Sequence, residues 1–248
     1  VLKAVSLGPG DLSLLTPAAR WAIEEAEVVA GYKGYIELVP EGLLEGKTVI
    51  STGMTGEVDR ARQAVEHARA GRRTVMVCSG DAGIYAMAGL LVEVLEAEGL
   101  LEAVPFEVVP GVAAFNAAAA LLGAPLMHDF ASISLSDLLT PWERIEQRLQ
   151  AAASADFVIA LYNPRSRKRS DHLREALGII GRYRRPTTPV GIVRKAYREG
   201  QFVEAVPLGK VDVEKVDMQT VLIVGNSATR LVGGRMLTPR GYHRKYAL

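Results

Sequence analysis

The stretch VLKAVSLGPGDLS, residues 1–13, sets an apolar run directly before a glycine-rich turn. Leu2 to Leu7 read as a strand of the kind found in sheets covered on both faces. Strand, Gly-x-Gly turn and helix is the layout of a phosphate cradle, but the chemistry does not follow. A Walker loop needs a lysine to reach the phosphates and a hydroxyl for magnesium. Here Gly10 is followed by Asp11, which repels phosphate. The dinucleotide fingerprint needs a third glycine three residues after the second, and position 13 is serine. A tight strand-to-helix turn whose glycines permit positive φ accounts for the same residues. Thr16-Pro17 then marks a helix start, a hydroxyl N-cap before proline at the first helical position.

The pattern repeats outward. TVIS (48–51), TVMVCS (74–79) and FEVVP (106–110) read as further strands. Between them, EVDRARQAVEHARAG places Val58, Ala61, Val65 and Ala68 on one helical face and stops at Gly71. AGIYAMAGLLVEVLEAEG does the same with Ile84, Met87, Leu91 and Val94, and stops at Gly99. Strand–helix alternation of this kind predicts a parallel sheet with right-handed crossovers.

The second half changes character. After the small-residue helix VAAFNAAAALLG come SISLS (132–136), DFVIALY (156–162), TPVGIV (188–193), QFVEAVPL (201–208) and MQTVLIVG (218–225), all read as strands. FVEAVPL alternates more than the others, which predicts an antiparallel, half-exposed pairing. TPWE opens a helix, with Thr140 and Glu143 at capping-box spacing and Pro141 at the first helical position. The expected architecture is two α/β domains, 1–113 and 114–248, with a mostly parallel N-terminal sheet and a mixed C-terminal sheet. The basic tail GYHRKYAL is expected to be partly loose.

Composition narrows the function. The chain has 248 residues, 49% hydrophobic and 23% charged, with a net charge of +1. That balance gives no global argument for nucleic acid or a membrane surface. No apolar run approaches the roughly 18 residues of a membrane span, and Lys3 with an early turn is unlike a signal peptide. A cytoplasmic protein is expected. The single cysteine, Cys78, excludes an intramolecular disulfide and reads as a buried hydrophobe. Four scattered histidines give no metal-site spacing, so no protein-bound metal is expected.

Five stretches are candidates for chemistry. SLGPGDLS is the first. In CSGDAGIYAMAG (78–89) a strand ends at Ser79-Gly80, where ligands of parallel sheets sit. Gly80 allows close approach to backbone, and Asp81 can accept hydrogen bonds from a ligand or cap the next helix. In VPGVAAFNAAAA (109–120) the tiny side chains leave room for a flat group, or serve close helix–sheet packing. ISLSDLLTPWE (133–143) brings Ser134, Ser136 and Asp137 to a strand end. LYNPRSRKRSDHLR (161–174) crowds Arg165, Arg167, Lys168 and Arg169 after another. That run is either a solvated face or a site for a polyanion, since the arginine fork suits carboxylates and phosphates. Arg182, Arg184 and Arg185 read as surface.

Taken together, Gly-Pro-Gly-Asp at 8–11, Ser-Gly-Asp at 79–81 and Pro-Gly-Val-Ala-Ala at 110–114 resemble the tetrapyrrole methylases. HDFASISLSDLLTPWE and LYNPRSRKR resemble, more narrowly, the precorrin-3B C(17)-methyltransferase or cobalt-factor III branch of cobalamin synthesis. The resemblance implies S-adenosylmethionine as methyl donor, held in a cleft between the domains, with a corrinoid precursor as substrate and a homodimeric assembly. It implies methylation of carbon 17 with associated ring contraction. By position it assigns the cofactor to Leu7, Pro9, Ser79, Gly80, Asp81, Ile84, Ala113, Ala114, Leu161, Tyr162, Asn163, Ala196 and Thr220. Gly10, Asp11, Arg165, Arg167 and Lys168 are candidates for the polycarboxylate substrate. For the proton movement that contraction requires, Asp137 and Ser136 are the candidates by location. Some relatives carry a cysteine-bearing extension for an iron–sulfur centre; an enzyme without its own redox centre is expected here. Two alternatives stay open: another methylase of the same family, acting on a different ring carbon or on protein or RNA, and a non-catalytic nucleic-acid binder using RSRKR. The second lacks the interleaved aromatics that base stacking uses, so no nucleic-acid or membrane partner is expected.

Overall fold

The computed structural model describes residues 1–53, 55–166 and 169–247. It divides into two compact units, Val1–Ala114 and Phe115–Leu248. Among the described residues no helix is long and apolar enough to cross a membrane.

In the first unit, β1 (Leu2–Ser6), β2 (Val28–Tyr32), β3 (Thr48–Thr52), β4 (Thr74–Cys78) and β5 (Phe106–Val109) form one five-stranded sheet in the order β3-β2-β4-β1-β5. All its pairs are parallel. The helices are α1 (Pro17–Glu25), the short α2 (Lys33–Ile36), α3 (Glu57–Arg69) and α4 (Ala88–Ala97). Alternate residues of each strand serve opposite faces. Leu2, Ala4, Met76 and Cys78 pack with Ala61 and Val65 of α3 and Leu91 and Leu95 of α4. Val5, Val75 and Val77 pack with Ala19 and Ile23 of α1 on the other face. Burial on both faces is why these strands read as unbroken apolar runs.

Local chemistry explains the helix starts. Thr16 Oγ1 accepts from Ala19 N at 3.1 Å, with Pro17 at the first helical position, as the sequence predicts. The face predicted for α3 needs one correction: Val58 is 45% exposed, and Arg60 is buried instead. The predicted helix from Ile84 is shorter than expected. It begins at Ala88, because Tyr85 has φ 52° and Ala88 N bonds Ala82 O at 3.0 Å across the preceding loop. Ile84 therefore lies in that loop. The sequence reading also missed β2. Gly31 interrupts its β-branched pattern, and a Cβ there would come within 2.7 Å of Val77 Cγ2 on the neighbouring strand.

The second unit contains α5 (Ala114–Leu122), α6 (Trp142–Ser154) and α7 (His172–Gly181). Its main sheet uses β7 (Phe130–Ser134), β8 (Val158–Tyr162), β9 (Pro189–Arg194), β10 (Phe202–Pro207) and β11 (Thr220–Val224), in the order β10-β9-β11-β8-β7. Only β7–β8 is parallel; β8–β11, β11–β9 and β9–β10 are antiparallel. The mixed sheet and the half-exposed antiparallel β10 match the alternation seen in FVEAVPL. Ile133, Ile159, Leu161, Ile192 and Leu222 cover one face with Ile145 and Leu149 of α6 and Leu173 and Ile180 of α7. α5 lies close on the other face: a Cβ at Gly191 would come within 2.2 Å of Leu122 Cδ1. Ala117 and Ala118 of α5 are buried and serve close packing. A small sheet of β6 (Gly123–Ala124), β12 (Arg230–Val232) and β13 (Arg235–Leu237) was not foreseen.

Three further corrections concern this unit. SISLS shifts to 130–134, which leaves Ser136 and Asp137 beyond the strand. α6 starts at Trp142 with Pro141 itself as N-cap and no side-chain cap bond, so the Thr140–Glu143 capping box does not form. Pro141 has ψ 142° and its carbonyl accepts from Arg144 N and Ile145 N, which moves the helical frame one residue on. Arg184, read as surface, has a side chain only 2% exposed. Its guanidinium donates to the carbonyls of Ala153 (2.8 Å), Phe157 (2.9 Å) and Gly225 (3.2 Å) and pairs with Asp156 at 3.2 Å.

Candidate active site

The parallel sheet of the first unit ends in three interlocked turns. Gly8 N donates to Gly80 O at 3.1 Å and Gly80 N donates to Gly8 O at 2.7 Å, so the turns after β1 and β4 continue the ladder into the loops. Gly8, Gly10 and Gly80 have φ of 66°, 123° and 72°, conformations open to glycine and strained for other residues. The third turn, after β5, is tied in by Asp81. Its Oδ2 accepts from Gly111 N at 3.0 Å and its Oδ1 from Gly83 N at 2.9 Å. The buried Ser6 hydroxyl accepts from Ala82 N at 2.8 Å. Gly111 fills the centre, where a Cβ would stand 2.5 Å from Ser6 Cβ and 2.9 Å from Gly80 O.

The side chains named from sequence here hold backbone in place. Asp81 stitches two turns; the N-cap of α4 is Met87. Asp11 caps a short 3₁₀ turn, accepting from Ser13 N at 2.8 Å and from Ser13 Oγ at 2.6 Å. Those bonds hold its carboxyl below the usual carboxylate value. Leu7 points into the core. Ala113 and Ala114 lie beside Gly80, 3.9 and 3.5 Å from where its Cβ would stand. Cys78 is buried, and desolvation pushes its thiol up to about 11.

In the second unit β9 runs in the direction of β7 and β8, since each lies antiparallel to β11 or parallel to a strand that does. The ends carrying Ser134, Tyr162, Asn163 and Ala196 therefore share one sheet edge with the start of β11 at Thr220. Asn163 has φ 50° and donates from Nδ2 to Ser134 Oγ at 2.9 Å, while Ser136 N donates to that same hydroxyl at 3.2 Å. Lys195 and Tyr197, flanking Ala196, have φ of 49° and 57°. Strained backbone at a strand-end edge is a mark of functional sites. The Tyr162 hydroxyl accepts from Phe115 N at 2.9 Å, in the first turn of α5. Leu161 is fully buried in the core and Thr220 Oγ1 donates to Asp217 at 2.9 Å, so each presents mainly backbone.

The two described arginines of the basic run, Arg165 and Arg169, are bonded within the fold. Arg165 donates to Val213 O at 3.1 Å and to Glu214 Oε2 at 2.5 Å. Arg169 is 9% exposed and donates to the carbonyls of Leu135 (3.0 Å) and Asn163 (3.2 Å). Burial lowers its pKa from the ordinary guanidinium value, opposed by Asp137. Arg167 and Lys168 lie outside the described residues. Asp137 Oδ1 is 3.7 Å from Arg169 Nε, and its Oδ2 is 3.6 Å from His172 Nε2. The His172 ring stacks on Trp142, centroids 4.2 Å apart and planes within 8°. His172 was missed in the sequence, where a lone histidine within a basic run carries no signal. Among the described residues no cluster of three or more His, Cys, Asp or Glu is placed to hold a metal.

Residues 1–212 match the family described as Tetrapyrrole (Corrin/Porphyrin) Methylases. A probable cobalt-factor III C(17)-methyltransferase of Salmonella typhimurium is 48% identical over 98% of this chain and 99% of its own length. A cobalt-factor III methyltransferase of Priestia megaterium is 49% identical over the whole chain, which spans 46% of that longer protein. The crystal structure of the methyltransferase CobJ superimposes with a TM-score of 0.91 at 41% identity, covering 96% of this chain and 99% of that one. A uroporphyrin-III C-methyl transferase of Thermus thermophilus, solved with S-adenyl homocysteine, gives a TM-score of 0.65 at 27% identity, covering 90% and 91%.

Proposed function

The chain belongs to the tetrapyrrole (corrin/porphyrin) methylase family, and from that premise we propose that it methylates carbon 17 of cobalt-factor III or precorrin-3B in cobalamin biosynthesis, with associated ring contraction. The observation that carries this reading is the near end-to-end match to a relative named as a probable cobalt-factor III C(17)-methyltransferase. S-adenosylmethionine is the proposed donor, and when bound it supplies an already activated sulfonium methyl. The first unit's turns suit it. Residues 8–11 and 79–84 carry Asp11 and Asp81 and neither lysine nor arginine, a charge pattern suited to a phosphate-free cation.

The proposed donor contacts are Leu7, Pro9, Ser79, Gly80, Ile84, Ala113 and Ala114 on the first unit, and Leu161, Tyr162, Asn163, Ala196 and Thr220 on the second. Most act through backbone, and Asp81 acts by holding the turns. The chain's main task is alignment, since near-attack geometry can supply roughly 7–11 kcal/mol. Gly10 and Asp11 are proposed for the substrate rim. Arg165 is proposed for a substrate carboxylate, a role in which it exchanges Glu214 for the ligand. Asp137, with Ser136 beside it, is proposed to meet the macrocycle where protons move. A homodimer is proposed on the family resemblance.

The test is incubation with S-adenosylmethionine and either metal-free precorrin-3B or cobalt-factor III. Mass and absorption spectra are expected to show one of them gaining a methyl at carbon 17. A chain that binds S-adenosylmethionine yet methylates neither, or methylates another carbon, overturns the proposal.

A further inference from the structure

We propose that His172 is a positioning residue for Asp137, and that with Arg169 it makes this carboxylate a fixed acceptor for the N–H groups of a bound metal-free tetrapyrrole. The inference rests on the function proposed above. Asp137 follows β7, Arg169 follows β8, and the two strands run parallel, so both loops leave one edge of the sheet. His172 opens α7 and Trp142 opens α6 at that edge. One carboxylate oxygen faces the guanidinium and the other faces the imidazole, at 3.7 and 3.6 Å. Both contacts are longer than a hydrogen bond, and contacts of this kind can tighten when a ligand binds.

The buried face of the imidazole decides its role. Nδ1 is buried and has no hydrogen-bond partner among the described residues. A neutral ring carries one N–H. Placed on Nδ1, that proton would be an unsatisfied buried donor, a costly arrangement. The tautomer inferred is therefore the one with the proton on Nε2, aimed at Asp137. His172 thus works by orientation, its Nε2 turned toward Asp137. The stack on Trp142 fixes the ring plane.

Exposure rises outward, from 9% at Arg169 and 16% at His172 to 35% at Asp137. The free lone pairs of the carboxylate thus face away from its two supports. Leu138 and Leu139, next in the chain, are 81% and 98% exposed. A fixed acceptor beside bare apolar side chains is a surface suited to a flat, metal-free ring with inward N–H donors.

The variants are His172→Phe, which keeps a ring for Trp142 and removes the donor; His172→Gln, which keeps an N–H; Asp137→Asn; and the double variant Asp137→Asn/His172→Phe. Each is titrated with metal-free precorrin-3B, whose ring nitrogens carry protons, by absorption and with S-adenosylmethionine by calorimetry. The wild type is also titrated with cobalt-factor III, whose ring nitrogens hold cobalt, and binding of that chelate alone overturns the inference. His172→Phe is expected to weaken the tetrapyrrole at least about fivefold, His172→Gln less than about twofold, with S-adenosylmethionine unchanged. The double variant is expected to bind no more weakly than Asp137→Asn, because residues acting through one another are non-additive. Wild-type tetrapyrrole affinity in His172→Phe, or losses that multiply in the double variant, overturns the inference alone. A wild-type chain that binds no tetrapyrrole overturns the proposed function and the inference together. If His172→Phe does not fold, His172→Leu takes its place as the donor-free variant.

Discussion

Gly111→Ala asks whether the three turns of the first unit work as one piece. The added Cβ would stand 2.5 Å from Ser6 Cβ and 2.9 Å from Gly80 O. Carbon atoms settle near 3.5–4.0 Å, so about 1 Å of movement is demanded. Neither neighbour can give way freely. Ser6 is fully buried and accepts from Ala82 N at 2.8 Å; Gly80 O accepts from Gly8 N at 3.1 Å. If Gly111 retreats, its own N–H leaves Asp81 Oδ2, now 3.0 Å away. Overpacking costs about 1–3 kcal/mol, and a lost hydrogen bond to a charged group about 1.5–3 kcal/mol. Because one movement relieves part of the clash, the two overlap, and about 3 kcal/mol is expected. That leaves a domain of ordinary stability folded and lowers its melting temperature by roughly 6–12 °C for a chain of this size. Calorimetry at 15 °C, where the variant is folded, reads the functional part. S-adenosylmethionine affinity is expected to fall more than about tenfold, or 1.4 kcal/mol. Wild-type melting and wild-type affinity together would refute the interlocked-turn reasoning. Lower stability with unchanged affinity would place the donor elsewhere.

Three further outcomes are expected. Glu214→Gln removes the charge that holds Arg165 at 2.5 Å and should tighten tetrapyrrole binding about threefold, a surface-scale effect; unchanged affinity in an absorption titration argues against Arg165 as a carboxylate contact. Arg184→Met removes the donor to the carbonyls of Gly225, Phe157, Tyr183 and Ala153, the last of which keeps Asp156 N, and breaks the ion pair with Asp156, which should cost about 3 kcal/mol in urea unfolding; a loss under about 1 kcal/mol contradicts that accounting. Cys78 should resist iodoacetamide at pH 8 and react once the chain is unfolded, since its folded thiol titrates near 11. Its raised value stabilises the fold fully below the unfolded thiol value near 9, and that contribution is lost as pH rises through 11.

The parallel half of the fold was legible because strands buried on both faces leave an unbroken apolar signature. β2 escaped because the close contact of Gly31 with Val77 demands a residue that weakens the strand pattern. The helix periodicity from Ile84 was real from Ala88 onward, but no sequence period reports the positive φ at Tyr85 that delays the start. Val58 and Arg60 show the limit of polarity as a guide to burial. Arg60 is 3% exposed, with its guanidinium bonded to Thr52 Oγ1 and 3.8 Å from Met87 Sδ, partners that lie apart in the chain. The basic run left a solvated face and a polyanion site both open, because most of its partners lie far off in the chain. Arg165 bonds Val213 O and Glu214, and Arg169 bonds the carbonyls of Leu135 and Asn163 and faces Asp137. Asp137 was chosen for its place at a strand end. His172 became visible only when the parallel pairing of β7 and β8 brought two helix starts together.

The candidate residues of each unit show the same division of labour. Polar side chains bond mainly to backbone: in the first unit Ser6 to Ala82 and Asp81 to Gly83 and Gly111, in the second Tyr162 to Phe115 and Asn163 to the Ser134 hydroxyl that also receives Ser136 N. The bond at Asn163 holds a non-glycine residue at φ 50°, a conformation that its side chain resists. A site built this way presents preset backbone donors and acceptors and needs little reorganisation when the reactants arrive. That is what methyl transfer from an activated donor asks of a protein, because alignment rather than acid or base is the larger part of the work. It also accounts for the first motif. Gly-Pro-Gly-Asp lacks the lysine of a phosphate loop, and its glycines serve a joint between two strand ends at which Asp11 secures the exit. Asp137 is the exception, a side chain supported from behind and open in front. The interlocked turns and the supported carboxylate should therefore fail differently when mutated, the first by donor affinity and the second by tetrapyrrole affinity. Calorimetry and absorption titration on Gly111→Ala and His172→Phe, side by side, separate the two; parallel losses of both ligands in both variants would show a single coupled site instead.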